Sequence, residues 1–266
     1  MPCPRQGWAA RLGGRVVLVG TVALGGAAIA PVRSARAAAT VVVEGTVTVE
    51  GACPKLAPLK ITKDASVCGA EQANEAAVAS PEGGLRNVVV SLRPVKTASP
   101  EAASAVAPLP PGHAAIDQVG CMYKPHVQAV TVGTELTLLN NDRVLHNVHG
   151  NLQGSASAVT VFNIAMPIKG QKLPTRLTRP GLIRLQCDAG HTWMSAWIHV
   201  FREPTFAVTD KRGHFSIPGV APGEYTIEYW HEPLDGVGAG ITKSSRLIVG
   251  SKPLRADARL ELRPPR

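Results

Sequence analysis

Short β-branched runs, broken at close intervals by Gly, Pro, Asn or Asp, recur along most of this 266-residue chain. Val127–Val132, Glu135–Leu139, Ala158–Ile164, Gly181–Gln186 and Trp197–Phe201 are examples. Runs of this length and spacing predict an antiparallel sandwich or barrel. With 26 Gly and 22 Pro and no long amphipathic stretch, the chain is read as all-β, with at most a short helix over 70–79. Apolar residues make up 45% and aromatics only 4%, so the core must be built mainly from Val, Leu, Ile and Ala.

The first 39 residues read as a removable leader. Arg5, Arg11 and Arg15 precede the apolar run from Val16 to Ala30, and Ala35-Arg36-Ala37 supplies small residues for cleavage between Ala37 and Thr40. The rival reading, a membrane anchor, is disfavoured because the run is short for a span and diluted by Gly. The mature chain is therefore expected to be exported, periplasmic or extracellular, with no integral membrane span. Losing five Arg and no acid takes the formal charge from +9 to +4. That mild excess, with no basic stripe interleaved with aromatics, argues against nucleic acid.

Strand-like alternation begins at once after the leader in TVVVEGTVTVE and returns in NVVVSL at 87–92. An Ala/Pro-rich stretch follows. The expected organisation is a first β-sandwich over 40–203, with an irregular insertion near 94–120, and a smaller one over 204–266. The second carries its own strands in HFSI, EYTIEYW, Ser244–Val249 and Ala256–Leu262.

The chemistry concentrates in CDAGHTWM, which holds Cys187, His191 and Met194, and in the upstream LLNNDRVLHNVHG, which holds His146 and His149. Two imidazoles and a thiolate in a plane, with a weak thioether on the axis, form the ligand set of a blue-copper electron-transfer site. Cys187 ends the strand LIRLQ, and Gly190 lets the following loop bend. His146 is the preferred distant imidazole. In an extended strand His149 points to the opposite face, so only one of the two can meet the metal directly.

N-N-D-x-x-x-H-N-V followed by C-x-x-x-H-x-x-M resembles the cupredoxins, the plastocyanin and amicyanin family. Together with "CMYKPHVQAVTVGTELTLLNNDRVLHNVHG" and "AVTDKRGHFSIPGVAPGEYTIEYWHE", it resembles exported bacterial methylamine-utilisation or plastocyanin-like proteins. In those a cupredoxin-like Greek-key domain precedes a carboxypeptidase regulatory-like, transthyretin-like β-sandwich. The resemblance implies one mononuclear type 1 copper bound by His146, Cys187 and His191 with Met194 axial. It also implies Asn147 as a brace for the ligand loop, with His149 a bystander or an auxiliary group behind the ligands. One departure stands out: three residues separate Cys187 from His191, where plastocyanins and amicyanin have two. That longer spacing resembles the binuclear copper loop of cytochrome oxidase, but Ile183 stands where that loop has its other cysteine.

Removal of the leader leaves Cys53, Cys68, Cys121 and Cys187. The resemblance implies a Cys68–Cys121 bridge; Cys53–Cys68 is the local alternative, and two disulfides with no metal the bland one. His126, His113, His199 and His214 read as surface or strand-end residues, and His231 as a structural hydrogen-bonding group in the tail. The expected activity is one-electron transfer between protein redox partners, without enzyme chemistry. Its rivals are a copper carrier or buffer and a metal-free interaction module.

Overall fold

The computed structural model describes residues 39–95, 112–154, 157–236 and 238–262. The leader therefore lies outside the described residues, as does the middle of the stretch near 94–120. In chain order the first strands are β1 (Val41–Val49), β2 (Leu59–Lys60), β3 (Glu71–Gln72), β4 (Val89–Pro94), β5 (His113–Gln118) and β6 (Tyr123–Lys124). Next come β7 (Val127–Thr131), β8 (Glu135–Asn140), β9 (His146–Leu152), β10 (Val159–Met166), β11 (Gln171–Arg176), β12 (Gly181–Gln186) and β13 (Ser195–Phe201). The C-terminal set is β14 (Phe206–Val208), β15 (His214–Val220), β16 (Gly223–His231), β17 (Ile241–Val249), β18 (Leu254–Arg255) and β19 (Ala258–Leu260). A single turn of helix, α1 (Ala65–Cys68), sits between β2 and β3, and the helix expected over 70–79 does not form. The chain is all-β in architecture.

Two sandwiches share these strands, apart from β2 and β3, which pair with each other. One has the sheets β10-β9-β12-β13-β7 and β11-β8-β5-β6. Ile116, Tyr123, Leu136, Leu138, Val148, Ile183, Leu185 and Ile198 fill the space between them. The other has β15-β1-β18, with β19 also on β1, facing β14-β4-β16-β17. Its core is Val43, Val47, Val90, Leu92, Phe215, Ile217, Ile227 and Tyr229.

The second core corrects the expected division at residue 203. β1 runs antiparallel to β15 and parallel to β18 and β19, while β4 is hydrogen-bonded between β14 and β16. The strands 41–49 and 89–94, assigned to the first sandwich, thus belong with the C-terminal strands. The sandwich of 113–201 is inserted between them. Alternation along a strand shows that one face is buried, but it carries no information about which sheet receives it. The strand β5 was likewise hidden, because it opens with His-Ala-Ala directly after an Ala/Pro-rich stretch.

Period-two patterning also builds the junction between the sandwiches. On β13, Ala196, Ile198 and Val200 point into one core, while Trp197 points out of it. On β4 and β16, Val90 and Tyr229 face the other core, while Val89 and Trp230 face Trp197 and Val127. The two tryptophan rings meet edge to face with centroids 5.7 Å apart.

Polar groups complete this junction. Glu232, 2% exposed, takes the Trp197 indole N–H at 2.9 Å and the His126 Nε2 at 2.5 Å. His126 is therefore buried, not a surface residue. Burial opposes its positive charge, but the hydrogen bond and charge of Glu232 outweigh that and hold its pKa above the ordinary value. His199 also departs from the surface reading: its ring lies 4.3 Å from Trp230 and 5.6 Å from Phe201, centroid to centroid. Burial pushes its pKa down to about 4, so the neutral ring is the one that fits.

The two histidines act on stability with opposite sign. A raised pKa stabilises below the unfolded value and fades as pH climbs through the folded one; a lowered pKa costs stability as pH falls. His199→Phe is expected to flatten the loss of thermal stability between about pH 6.5 and 4, where the wild-type ring must charge inside the junction. Melting curves across that interval check it; an unchanged slope contradicts the burial account.

Candidate metal centre

Three strand ends converge on one buried point. His146 opens β9, Cys187 directly follows β12, and His191 lies in the loop from β12 to β13. β12 pairs with both β9 and β13, which fixes these ends side by side. Both imidazoles are 0% exposed, Cys187 5% and Met194 1%. His146 Nδ1 and His191 Nδ1 are 3.0 Å apart, and Cys187 Sγ lies 3.6 Å from His191 Nδ1. All three donor atoms fall within 4.8 Å of one another. Met194 packs in the same core cluster as Cys187, and its amide donates to the His191 carbonyl at 3.0 Å, closing the turn that carries both residues.

The outer edges of the two rings explain why the inner edges face each other. His146 Nε2 meets Asp142 Oδ2 at 2.9 Å, and His191 Nε2 meets Asp64 Oδ2 at 2.8 Å. A carboxylate accepting the Nε2 proton leaves Nδ1 as a bare lone pair, the arrangement typical of metal-binding histidine. Two such lone pairs 3.0 Å apart repel unless a cation lies between them. His146 is poorly suited to being that cation by protonation: burial lowers its pKa, although Asp142 pulls the other way. Separations of 3.0 and 3.6 Å suit bonds of about 2.0 Å to nitrogen and about 2.3 Å to sulfur. The donor set therefore fits one borderline or soft ion.

Neither carboxylate was singled out from sequence. Asp142 lies in the quoted N-N-D segment, but its role needs the fold. Its Oδ1 takes the Gly120 amide and its Oδ2 the Cys121 amide, both at 2.8 Å. Asp64 reaches His191 across 127 residues of sequence, a partnership that no local pattern signals.

The remaining site residues fall as follows. Asn147 Oδ1 accepts the Asp188 amide at 3.2 Å, and its Nδ2 donates to Asn163 at 2.6 Å, so it braces the start of the ligand loop. His149 stays outside the donor group and grips that loop through Asp188, Nδ1 to Oδ2 at 2.7 Å. Partial burial opposes ionisation of Asp188, but hydrogen bonds from Gln186 and His149 prevail and hold its carboxyl below the usual range. Tyr123, also missed from sequence, sets its hydroxyl against the carbonyls of Asn147 and Gln186, tying β9 to β12 beside the site. Burial and the nearby Cys187 sulfur push that hydroxyl well above its ordinary pKa. Gly190, at φ +93°, takes a backbone conformation that few other residues adopt, which lets the loop bend just before His191.

A disulfide joins Cys68 to Cys121, while Cys53 and Cys187 carry free thiols. Cys187 is thus available as a ligand. Cys121 is not, although it lies beside Asp142 and His146.

No protein family and no curated protein matches the sequence. Solved structures similar to part of the chain include the purple cupredoxin from Nitrosopumilus maritimus, at 22% identity and TM-score 0.28. That match covers 33% of this chain and 98% of the other. A reduced mutant form of amicyanin aligns at 25% identity and TM-score 0.28, over 37% of this chain and 88% of its own. The copper-containing nitrite reductase NirK from Thermus scotoductus SA-01 aligns at 20% identity and TM-score 0.27, over 42% of this chain but 26% of its own. Scores this low leave the site to be judged on its own geometry.

Removing Asp142 tests the outer hydrogen bonds. Asp142→Ala leaves one buried amide, one partly buried amide and one buried imidazole N–H without an acceptor, the buried ones each costing about 1–3 kcal/mol. The metal-free protein is expected to lose about 3 kcal/mol or more in urea unfolding, with an unchanged denaturant slope. A loss below about 1 kcal/mol contradicts the role given to this carboxylate.

Proposed function

We propose that this protein is an exported cupredoxin-like carrier of single electrons, binding one mononuclear type 1 copper through His146, Cys187 and His191, with Met194 as a weak axial ligand. The observation that carries the reading is the pair of inward-facing Nδ1 atoms, 3.0 Å apart on imidazoles that are 0% exposed, beside a free buried thiol. Bound copper would supply one reversible electron. The protein's own part is to keep the donors still. Cys187 leaves a strand paired on both sides, His146 opens another, and Asp142, Asp64 and Asn147 fix the rings and the loop. Ligands held in this way barely reorganise when the ion changes charge. Both nitrogens of each ligand imidazole are committed, so neither ring is free as a general base, and the reading is of a carrier and not an enzyme.

The second sandwich, read as a carboxypeptidase regulatory-like domain, would support the copper sandwich and help dock a protein redox partner. Trp197 links it to β13, the strand that leaves the ligand loop. The full burial of both imidazoles favours a second reading, a copper carrier or buffer without redox duty.

Visible absorption and paramagnetic-resonance spectra of the copper-loaded mature chain separate these readings. Electron transfer predicts an intense thiolate-to-copper charge-transfer band and a reversible couple, with the band abolished in Cys187→Ser. Met194→Gln is expected to keep copper and lower the potential, because an oxygen donor favours the harder Cu(II) ion. Tight Cu(I) binding without a reversible couple would leave the buffer reading. Failure to bind copper would sink both.

A further inference from the structure

The segment from Leu59 to Gln72 stands apart from both sandwiches. Among the described residues, β2 and β3 pair with each other and with no sandwich strand. Most residues between Lys60 and Glu71 are exposed, and only Cys68 is fully buried. Leu59 and Ile61 are partly buried against the core that contains Cys187 and Met194. What fastens the segment is a short set of ties, and they lead to the metal centre.

Asp64, at the head of α1, holds His191 Nε2 at 2.8 Å. Lys63 donates from Nζ to the Ala189 carbonyl at 2.6 Å, inside the ligand loop. The Lys63 stem also lies over Gly190, where an added Cβ would come within 3.2 Å of its Cδ. At the far end, Cys68 is bonded to Cys121, and Gln72 Nε2 donates to the carbonyls of Cys68 and Gly120, at 2.7 and 2.9 Å. Gly120 and Cys121 are the residues whose amides hold Asp142, the carboxylate on the other ligand imidazole. One surface segment thus reaches both ligand histidines, His191 directly through Asp64 and His146 through the Cys121 anchor.

We propose that Leu59–Gln72 is a latched cover over the copper pocket. Asp64 is a positioning residue for His191, the disulfide is the fixed hinge, and the Asp64 and Lys63 contacts are the latch whose opening admits and releases the ion. The inference rests on the copper reading for its ligand but not for its motion. The cover has few apolar contacts of its own and no sheet partner in either sandwich, the features of an element that opens locally without global unfolding. The disulfide is buried at both cysteines, so it stays closed while the latch moves.

The test uses the mature chain, metal-free and loaded with Cu(I), as wild type, Asp64→Asn and Lys63→Met. Both variants leave the disulfide and the three donors intact. Asp64→Asn removes the charge behind His191 while leaving an amide oxygen able to accept, and mutation of such a partner commonly costs about 10–100-fold in metal affinity. Asp64→Asn is therefore expected to speed Cu(I) transfer to a competing chelator by about tenfold or more, with a smaller increase for Lys63→Met. In the metal-free protein, amide hydrogen exchange is expected to rise in residues 61–69 and at Met194, with the sandwich strands unchanged. Release rates within about twofold of wild type would overturn the cover, and so would unchanged exchange in the metal-free chain. A chain that binds no copper fails the functional reading separately, and the exchange measurement still decides whether the latch exists.

Discussion

Two carboxylate–imidazole hydrogen bonds, one buried and one partly buried, decide which way the ligand rings point, and the site depends on them. With Asp142 and Asp64 on the outer nitrogens, the inner nitrogens of His146 and His191 are left bare and aimed at each other beside the Cys187 sulfur. Turned the other way, either ring would give up its hydrogen bond to a carboxylate. Each carboxylate is anchored in turn. Asp142 is held by two backbone amides next to Cys121, and Asp64 begins the helical turn that ends at Cys68. The Cys68–Cys121 bond joins the two supports. The donor geometry is thus set by groups behind the ligands as much as by the strands that carry them.

The same strand that leaves the ligand loop also anchors the neighbouring sandwich. β13 turns Ala196, Ile198 and Val200 toward the core that holds Cys187, and Trp197 toward Trp230 and Glu232. Glu232 is almost wholly buried yet satisfied, with His126 on one oxygen and the Trp197 indole on the other. A carboxylate in that position is tolerable because both of its oxygens are hydrogen-bonded, by partners that come from the inserted sandwich. The junction is consequently specific as well as apolar.

The sequence was readable where the signal is local. GLIRLQ and the ligand loop are contiguous, and β12 occupies the six residues that the alternation marked. His146, Cys187 and His191 stand out by residue type and spacing, and their donor atoms lie within 4.8 Å of one another. What escaped reading is non-local. Nothing in TVVVEGTVTVE says that its partners lie more than 160 residues downstream, at Phe215 and Leu254. His126 looks like a strand-end histidine until Glu232, 106 residues away, closes on it. β11 contains Pro174 in QKLPTR, and β9 begins with a histidine and an asparagine, so neither offers the apolar alternation that marks a strand.

The position of β1 has a consequence for how the molecule is made. A nascent chain emerges from the ribosome amino end first, and this strand must wait, with its alternate valines uncovered, until nearly the whole polypeptide exists. The inserted sandwich, whose pairings are all internal to 113–201, can be complete long before then. Pairings across such sequence separations are slow to form and expose sticky edges in the interval. The inserted sandwich can thus fold first, and the sandwich around β1 closes last, when strands from the carboxyl end reach it.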